Sequence, residues 1–253
     1  MLLAFDIGNT SIGCALFEGE RIVVRRRFET DPERASYAGE VERALEESEI
    51  PGRGPDAAVA SSVVSGMAEK LGKAVGDLWG LALVEADPSM DLGIEVEVPR
   101  PEAVGIDRLL AAGEAYRLAG GPAVVVGAGT AMTVDLVSGD GRFLGGTISP
   151  GLRTALWSLS ERTSLLPEVE LTAPDGVLGR DTPGCIRSGV IYGTAGAVDR
   201  LIFEFLAVSG EGPRVFLTGG DAAFLSPYLR SNHSVAPDLV LHGLASTYRR
   251  NED

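Results

Sequence analysis

The sequence has few of the residues on which several kinds of site depend. It contains two cysteines, Cys14 and Cys185, and two histidines, His233 and His242, among 253 residues. Two cysteines far apart in the chain form neither a disulfide framework nor a metal-binding pattern, and they suit a reducing cytosol. Mechanisms that need a Ser-His pair or a histidine-bound metal therefore have little to build on.

Long apolar runs and a surplus of basic residues are also absent. No stretch of about 18 apolar residues occurs, so we expect no membrane span. The first residues reach Asp6 without a basic residue before it, so we expect no signal peptide. The 36 acidic residues outnumber the 22 basic ones, which disfavours a broad basic face for nucleic acid. These absences predict a cytoplasmic protein without a nucleic-acid or membrane partner.

Two stretches of the chain share one pattern of predicted elements. An apolar strand, a glycine-rich turn and two further strands occupy residues 2–28, and the same order recurs at residues 123–148. Helical sequence follows each stretch, at residues 33–48, 65–78 and 102–119 in the first half and at 151–161, 183–208, 221–229 and 238–249 in the second. The repeat predicts a duplicated α/β domain whose two glycine turns face each other across a cleft.

The first glycine turn, Asp6-Ile7-Gly8-Asn9-Thr10, has the composition of an anion site. Main-chain N–H groups in such a turn can point at one phosphate, and the side chains of Asn9 and Thr10 add donors. Asp6 would repel a bare phosphate, but it suits a site in which Mg²⁺ lies between them. A plain hairpin turn explains the same residues equally well. A Walker A loop is absent, and the Gly127-Ala128-Gly129 stretch lacks the third glycine of a dinucleotide-binding turn.

Beyond this turn, an ordered set of motifs resembles the type III pantothenate kinases, members of the actin-like superfamily of sugar kinases and chaperone ATPases. The motifs are Asp6–Thr10, Pro101–Arg108, Gly129–Asp135, Gly145–Leu152, Thr163 with Leu166-Pro167, Gly179–Thr182 with Ile186–Gly189, and Leu217–Asp221. Each is short, but together they follow the family's order over nearly the whole chain.

The resemblance implies two ribonuclease-H-like domains, residues 1–118 and 119–253, with ATP in a cleft between them. It implies ATP-dependent phosphorylation of pantothenate, the first step of coenzyme A biosynthesis, by a homodimer. The ATP-binding residues it implies are Asp6, Ile7, Gly8, Asn9, Thr10, Ser11, Ile12, Gly13, Gly129, Thr130, Gly219 and Gly220. The pantothenate-binding residues it implies are Gly105, Ile106, Asp107, Arg108 and Thr182, the last from the other subunit. Asp107 is then the general base, and Asp6 holds Mg²⁺ directly or through water.

The chemistry of Asp107 and Arg108 agrees with these roles. Phosphoryl transfer needs a carboxylate that takes the hydroxyl proton and cations that neutralise the transferring phosphate. Arg108 offers a planar set of donors that suits the carboxylate of pantothenate. An isolated Asp-Arg pair is usually a solvated pair of charges on a helix, so the preceding Gly105 and the resemblance carry this assignment.

Two positions depart from the family pattern. The aspartate that binds a monovalent cation, K⁺ or NH₄⁺, in the family is replaced by Gly127, so cation dependence is not carried over. The stretch Val96-Glu97-Val98 lacks the aromatic residue that lines the family's pantothenate pocket. Two alternatives stay open: a non-catalytic regulatory relative that keeps the fold, and a kinase for another small hydroxy acid.

Overall fold

The computed structural model describes residues 1–46, 54–210 and 212–252, which fall into two compact units. The first unit comprises Met1–Glu95, Pro99–Glu114 and Leu239–Asp253, and the second comprises Val96–Val98 and Ala115–Asp238. None of the helices in the described part of the chain has both the length and the apolar character needed to cross a membrane.

The first unit is built on a five-stranded mixed sheet in the order β3-β2-β1-β4-β5. Its strands are β1 (Leu2–Ile7), β2 (Ser11–Glu18), β3 (Arg21–Glu29), β4 (Ala57–Ser62) and β5 (Leu83–Glu85). Strands β1, β2 and β3 pair antiparallel, whereas β4 lies parallel to β1 and β5 parallel to β4. Its helices are α1 (Ala38–Glu46), α2 (Met67–Trp79), the first part of α3 (Ile106–Ala119) and α7 (Leu239–Arg250).

Alternation along β1 assigns its side chains to two faces of the sheet. Leu3, Phe5 and Ile7 are fully buried with residues of α1 and α2 in one core cluster. Asp6 is on the other face of β1. Helix α7 packs on this face of the sheet, against β1, β2 and β4. The edge-on contact between Phe17 and His242, with ring centroids 5.3 Å apart, belongs to this second face.

The second unit repeats the plan with a six-stranded sheet in the order β11-β10-β7-β8-β9-β6. Its strands are β6 (Glu95–Val96), β7 (Ala123–Ala128), β8 (Ala131–Val137), β9 (Arg142–Pro150), β10 (Arg214–Thr218) and β11 (Ser234–Val235). Strands β7, β8 and β9 are an antiparallel meander, and β10 and β11 are added in parallel. Its helices are α4 (Leu152–Arg162), α5 (Thr182–Ser209) and α6 (Ala222–Leu225), and α5 covers the sheet core.

The predicted mixed α/β fold with two tandem domains is confirmed, and so are the two three-stranded meanders. Other details of the predicted elements need correction. The helix expected at 102–119 begins only at Ile106, because Pro101–Ala103 is a separate 3₁₀ turn. The helix expected at 33–48 begins at Ala38, and residues 47–48 lie outside the described part. The short strands β5, β6 and β11 were not predicted, since two or three residues show no period.

The two units differ from the expected division at residue 118. Helix α7 closes the chain but packs on the first sheet, and Gly243 of α7 lies so close to Leu110 of α3 that a Cβ would sit 2.2 Å from its carbonyl oxygen. Residues 115–118 and Val96–Val98 group with the second unit. Hydrophobic periodicity shows that a helix has an apolar face, but it does not show which sheet that face covers.

Candidate active site

Asp6 is an acidic residue of the first unit with a buried hydrogen-bond partner. It lies on β1, is partly buried, and its Oδ1 accepts a hydrogen bond of 3.2 Å from the Oγ of Ser61 on β4. Burial, followed by the negative charge of Asp107, raises the pKa of Asp6 to about 6, against the opposing effects of the Ser61 hydrogen bond and the positive charge of Arg27. Two carboxylates that repel each other in this way form a place where a cation is favoured.

The turn that follows β1 is tied down by main-chain and side-chain hydrogen bonds. The N–H of Gly8 donates to the carbonyl of Ser11 at 3.0 Å, and the hydroxyl of Thr30 donates to the carbonyl of Gly8 at 2.7 Å. Asn9 and Thr10 are exposed at the tip. The turn is therefore a hairpin, as one interpretation of the sequence predicted, and it presents Asn9 and Thr10 outward.

Not every residue of this segment can offer its side chain to a ligand. Ile7 and Ile12 pair with each other across the hairpin, and both are buried in the hydrophobic core. Only the main chain of these two residues is left for a ligand. Gly13 lies directly opposite Asp6 on β2, and a Cβ at Gly13 would meet Cδ1 of Leu241 at 3.6 Å and Cβ of Asp6 at 3.8 Å.

Asp107 lies in the first turn of α3, immediately after the break at Gly105. Its pKa is raised, chiefly because the carboxylate is removed from water, while the N–H of Arg108 and the Arg108 charge act in the opposite direction. Ile106 is buried, and Arg108 is partly buried beside Asp107. The structure thus places Gly105, Asp107 and Arg108 in the same unit as Asp6, with Asp107 near enough for its charge to act on Asp6.

Gly105 has a more specific role than the sequence predicted. We expected it to let the substrate approach, but a Cβ at this position would lie 2.5 Å from Oδ1 of Asp107. The missing side chain is therefore needed by the Asp107 carboxylate itself, which folds back over the start of α3. Any larger residue would push that carboxylate out of its place.

In the second unit, the turn after β7 and the turn after β10 lie side by side. Gly129 and Thr130 follow β7, Gly219 and Gly220 follow β10, and these strands are parallel neighbours. The N–H of Asp221 donates to the carbonyl of Ala128 at 3.0 Å. Gly219 has a φ of +99°, and a Cβ there would lie 2.4 Å from that carbonyl oxygen, so only glycine permits this approach. Carboxyl ends of adjacent parallel strands are a common place for ligands.

Two residues outside the predicted motifs border these turns. The Nε of Arg153 donates to Oδ1 of Asp221 at 3.1 Å, with Arg153 exposed and Asp221 nearly buried. The hydroxyl of Thr154 donates to the carbonyl of Thr130 at 2.7 Å. Both residues lie in the first turn of helix α4, and none of the predicted motifs includes them.

Gly127 is in the strand that leads into the turn with Gly129 and Thr130 and pairs with Thr218 of β10, whereas Thr182 is on a separate element. Gly127 is in β7 opposite Thr133, and a Cβ at Gly127 would lie 2.6 Å from the hydroxyl of Thr133. Thr182 is exposed in the first turn of α5, whose start is capped by Asp181 accepting from the N–H of Gly184 at 2.7 Å. Thr182 is thus on a different element from Gly129, Thr130, Gly219 and Gly220.

Ser61 and Arg27 are the site neighbours that sequence reasoning missed in the first unit. Ser61 follows the apolar run of β4, which lies parallel to β1. The signal in the sequence that could have identified it was a polar residue at the end of a strand next to β1. Arg27 is one of three consecutive arginines on β3, and only the strand register distinguishes it from the other two. Among the described residues, no group of three or more His, Cys, Asp or Glu side chains forms a metal cluster.

Comparison with known proteins gives a consistent result. The family model described as type III pantothenate kinase matches residues 2–204. A type III pantothenate kinase of Rubrobacter xylanophilus is 40% identical, with 99% of this chain and 98% of that protein covered. Another, from Thermus thermophilus, is 38% identical, with 96% of this chain and 97% of that protein covered.

Solved structures of lower sequence identity share the fold. Component A of the (R)-2-hydroxyglutaryl-CoA dehydratase of Acidaminococcus fermentans matches with a TM-score of 0.55 at 14% identity over 99% of both chains. The activator of the 2-hydroxyisocaproyl-CoA dehydratase from Clostridium difficile, solved with bound ADPNP, matches with a TM-score of 0.53 at 11% identity, covering 97% of this chain and 92% of that one.

Proposed function

The chain belongs to the type III pantothenate kinase family, and we propose on this premise that it phosphorylates pantothenate with ATP, as the first step of coenzyme A biosynthesis. The observation that carries the proposal is that Asp107 lies near enough to Asp6 for its charge to raise the pKa of Asp6, with Arg108 beside Asp107. A kinase for an alcohol needs these three groups: a base, a carboxylate for the cation and a cation for the acidic substrate.

Asp107 is the proposed general base. Its raised pKa makes it a better proton acceptor than an ordinary exposed aspartate. The hydroxyl proton of pantothenate passes to the Asp107 carboxylate as the hydroxyl oxygen bonds to the γ-phosphorus, and ADP leaves with the electron pair of the broken P–O bond. Arg108 would hold the pantothenate carboxylate, with Gly105 and Ile106 as main-chain neighbours.

The donors around Asp6 fit Mg²⁺. Asp6 would supply a hard oxygen ligand, the nearby negative charge of Asp107 favours a cation there, and the phosphates and water would supply the remaining ligands, as Mg²⁺ usually requires. Bound there, Mg²⁺ would neutralise charge on the transferring phosphate. Asp6 would hold the ion directly or through water.

The proposed ATP-binding residues form one group in each unit. In the first unit they are the β1–β2 turn from Asp6 to Gly13, with Ser11 and Gly13 on the returning strand. In the second unit they are Gly129, Thr130, Gly219 and Gly220, whose turns adjoin at the carboxyl ends of β7 and β10. The bound ADPNP of the activator from Clostridium difficile supports nucleotide binding by this fold.

Exposed apolar side chains on the second unit support a homodimer. They are Ile148, Trp157, Leu165, Val177 and Leu178, from 56% to 91% exposed. Apolar surface of this kind is typical of protein interfaces, and Thr182, just beyond Leu178, would then reach the pantothenate site of the other subunit.

We also propose a cytoplasmic location, supported by Cys14 and Cys185, which are both free thiols.

The decisive experiment is a coupled ATP-consumption assay with purified protein, Mg²⁺ and pantothenate, with the product identified by mass spectrometry. Phosphopantothenate formed in step with ADP supports the proposal. ATP binding without turnover would instead indicate the regulatory relative. Turnover with a different hydroxy acid, but not with pantothenate, would indicate a kinase of altered specificity.

A further inference from the structure

Four residues form one row across the first sheet. Arg27 of β3 lies opposite Gly13 of β2, Gly13 lies opposite Asp6 of β1, and Asp6 lies opposite Ser61 of β4. Directly opposed residues point to the same face of a sheet. Asp6 therefore has a hydroxyl on one side and, across a glycine without a side chain, a guanidinium on the other.

Ser61 is the closer of the two neighbours, and it is almost completely buried, with 1% of its surface exposed. Its Oγ donates to Oδ1 of Asp6 at 3.2 Å, between residues 55 positions apart in sequence. A buried hydroxyl is expected to have a hydrogen-bond partner, and here that partner is the carboxylate of the proposed active site.

The next residue, Ser62, shows what a local role looks like. Its side chain is on the opposite face of β4, where its Oγ donates to the carbonyl of Val64 at 2.9 Å and accepts from the Val64 N–H at 3.2 Å. Ser62 thus stabilises the turn after β4, whereas Ser61 acts across two strands.

The geometry points to Ser61 as a positioning residue for Asp6. Its hydroxyl donates to Oδ1 and holds the orientation of the carboxylate, so that Oδ2 is left for the cation of bound Mg²⁺-ATP. This inference rests on the proposed function, in which Asp6 faces the transferring phosphate. A carboxylate held by a neutral donor keeps its full negative charge but loses rotational freedom, which lowers the entropic cost of forming the site.

The test compares Ser61→Ala with Ser62→Ala, each checked for folding by a thermal melt. We expect Ser61→Ala to lower kcat about tenfold, the effect typical of one hydrogen bond to a charged group, and to weaken Mg²⁺-ATP binding in calorimetry severalfold. The KM for pantothenate should stay within about twofold of wild type, because the Ser61 hydroxyl donates to Asp6, which is not one of the proposed pantothenate residues. Ser62→Ala should keep wild-type kcat and Mg²⁺-ATP affinity.

A double-mutant cycle on Mg²⁺-ATP affinity separates positioning from a general structural effect. In an Asp6→Asn background, Ser61→Ala should have almost no further effect, because the group it orients has lost its charge. Additive effects of Ser61→Ala and Asp6→Asn would overturn the proposal, as would a Ser61→Ala protein whose kcat equals that of Ser62→Ala. If wild type forms no phosphopantothenate, the proposed function fails, while the affinity cycle still decides the role of Ser61.

Discussion

Asp107, in the first turn of α3, lies close enough to Asp6 on β1 for its charge to raise the pKa of Asp6. Asp6 belongs to the strand that opens the chain, and Asp107 to a helix about a hundred residues later. Like charges are brought together at a cost in stability, so their proximity indicates a site that is completed by a cation.

The break before α3 gives the first prediction. Gly105→Ala should lower kcat at least tenfold, because the new Cβ would occupy the space of the Asp107 carboxylate. Gly189→Ala on α5 is a matched control, since a Cβ there meets no atom within 4 Å. Steady-state kinetics with a thermal melt checks this, and equal activity of the two variants would show that Asp107 tolerates displacement.

The raised pKa of Asp6 gives a prediction about stability. A carboxyl group with a raised folded-state pKa adds stability that is complete below the unfolded value near 3.8 and is lost as the pH rises through about 6. Asp6→Asn removes the buried charge, so it should stabilise the ligand-free protein at pH 7.5 by on the order of 1–3 kcal/mol and by less at pH 4.5. Urea unfolding at the two pH values measures the difference.

The same variant should lose function as it gains stability. Asp6→Asn should lower kcat more than it lowers ATP affinity, because the lost charge acts where charge develops in the transition state. Asp87→Asn is the control for the stability measurement. Hydrogen bonds from Ser89 lower the pKa of exposed Asp87, so its replacement should give no gain in the free energy of unfolding at pH 7.5. Wild-type kcat for Asp6→Asn at saturating Mg²⁺-ATP would remove Asp6 from the proposed mechanism.

Gly127 gives a prediction about monovalent cations. Without a carboxylate at this position, turnover should be the same in K⁺ and in Na⁺ buffers of equal ionic strength. Gly127→Asp alone places its Cβ against the Thr133 hydroxyl, so the double change Gly127→Asp with Thr133→Ala is the variant expected to gain K⁺ activation. Saturable K⁺ activation of the wild-type protein would contradict this account.

Much of the fold was predictable because it depends on local patterns. The apolar runs at Leu2–Ile7 and Ala123–Ala128, each followed by a glycine turn and two more strands, identified both meanders. The start of α3 was misplaced because Glu102 continues the helical period in sequence, whereas Pro101 and Gly105 separate a 3₁₀ turn from the helix.

The candidate site was predictable only where motifs carried it. Asp6 and Asp107 lie in recognisable motifs, and the structure places them near each other. Ser61 and Arg27 were missed because their relation to Asp6 depends on strand register between segments far apart in sequence. The Arg153–Asp221 ion pair was missed for the same reason, since its partners are joined by the fold and not by spacing.

The central claim is that Asp107 accepts the proton of the pantothenate hydroxyl, and kcat of Asp107→Asn tests it most directly. Asparagine keeps the size and most hydrogen bonds of the side chain but removes its basicity. We expect kcat to fall about 10²–10⁴-fold, the range typical of one general base, with a melting temperature no lower than that of wild type and only modestly weaker pantothenate binding through Arg108. A folded Asp107→Asn protein that turns over pantothenate at a near-normal rate would contradict the account.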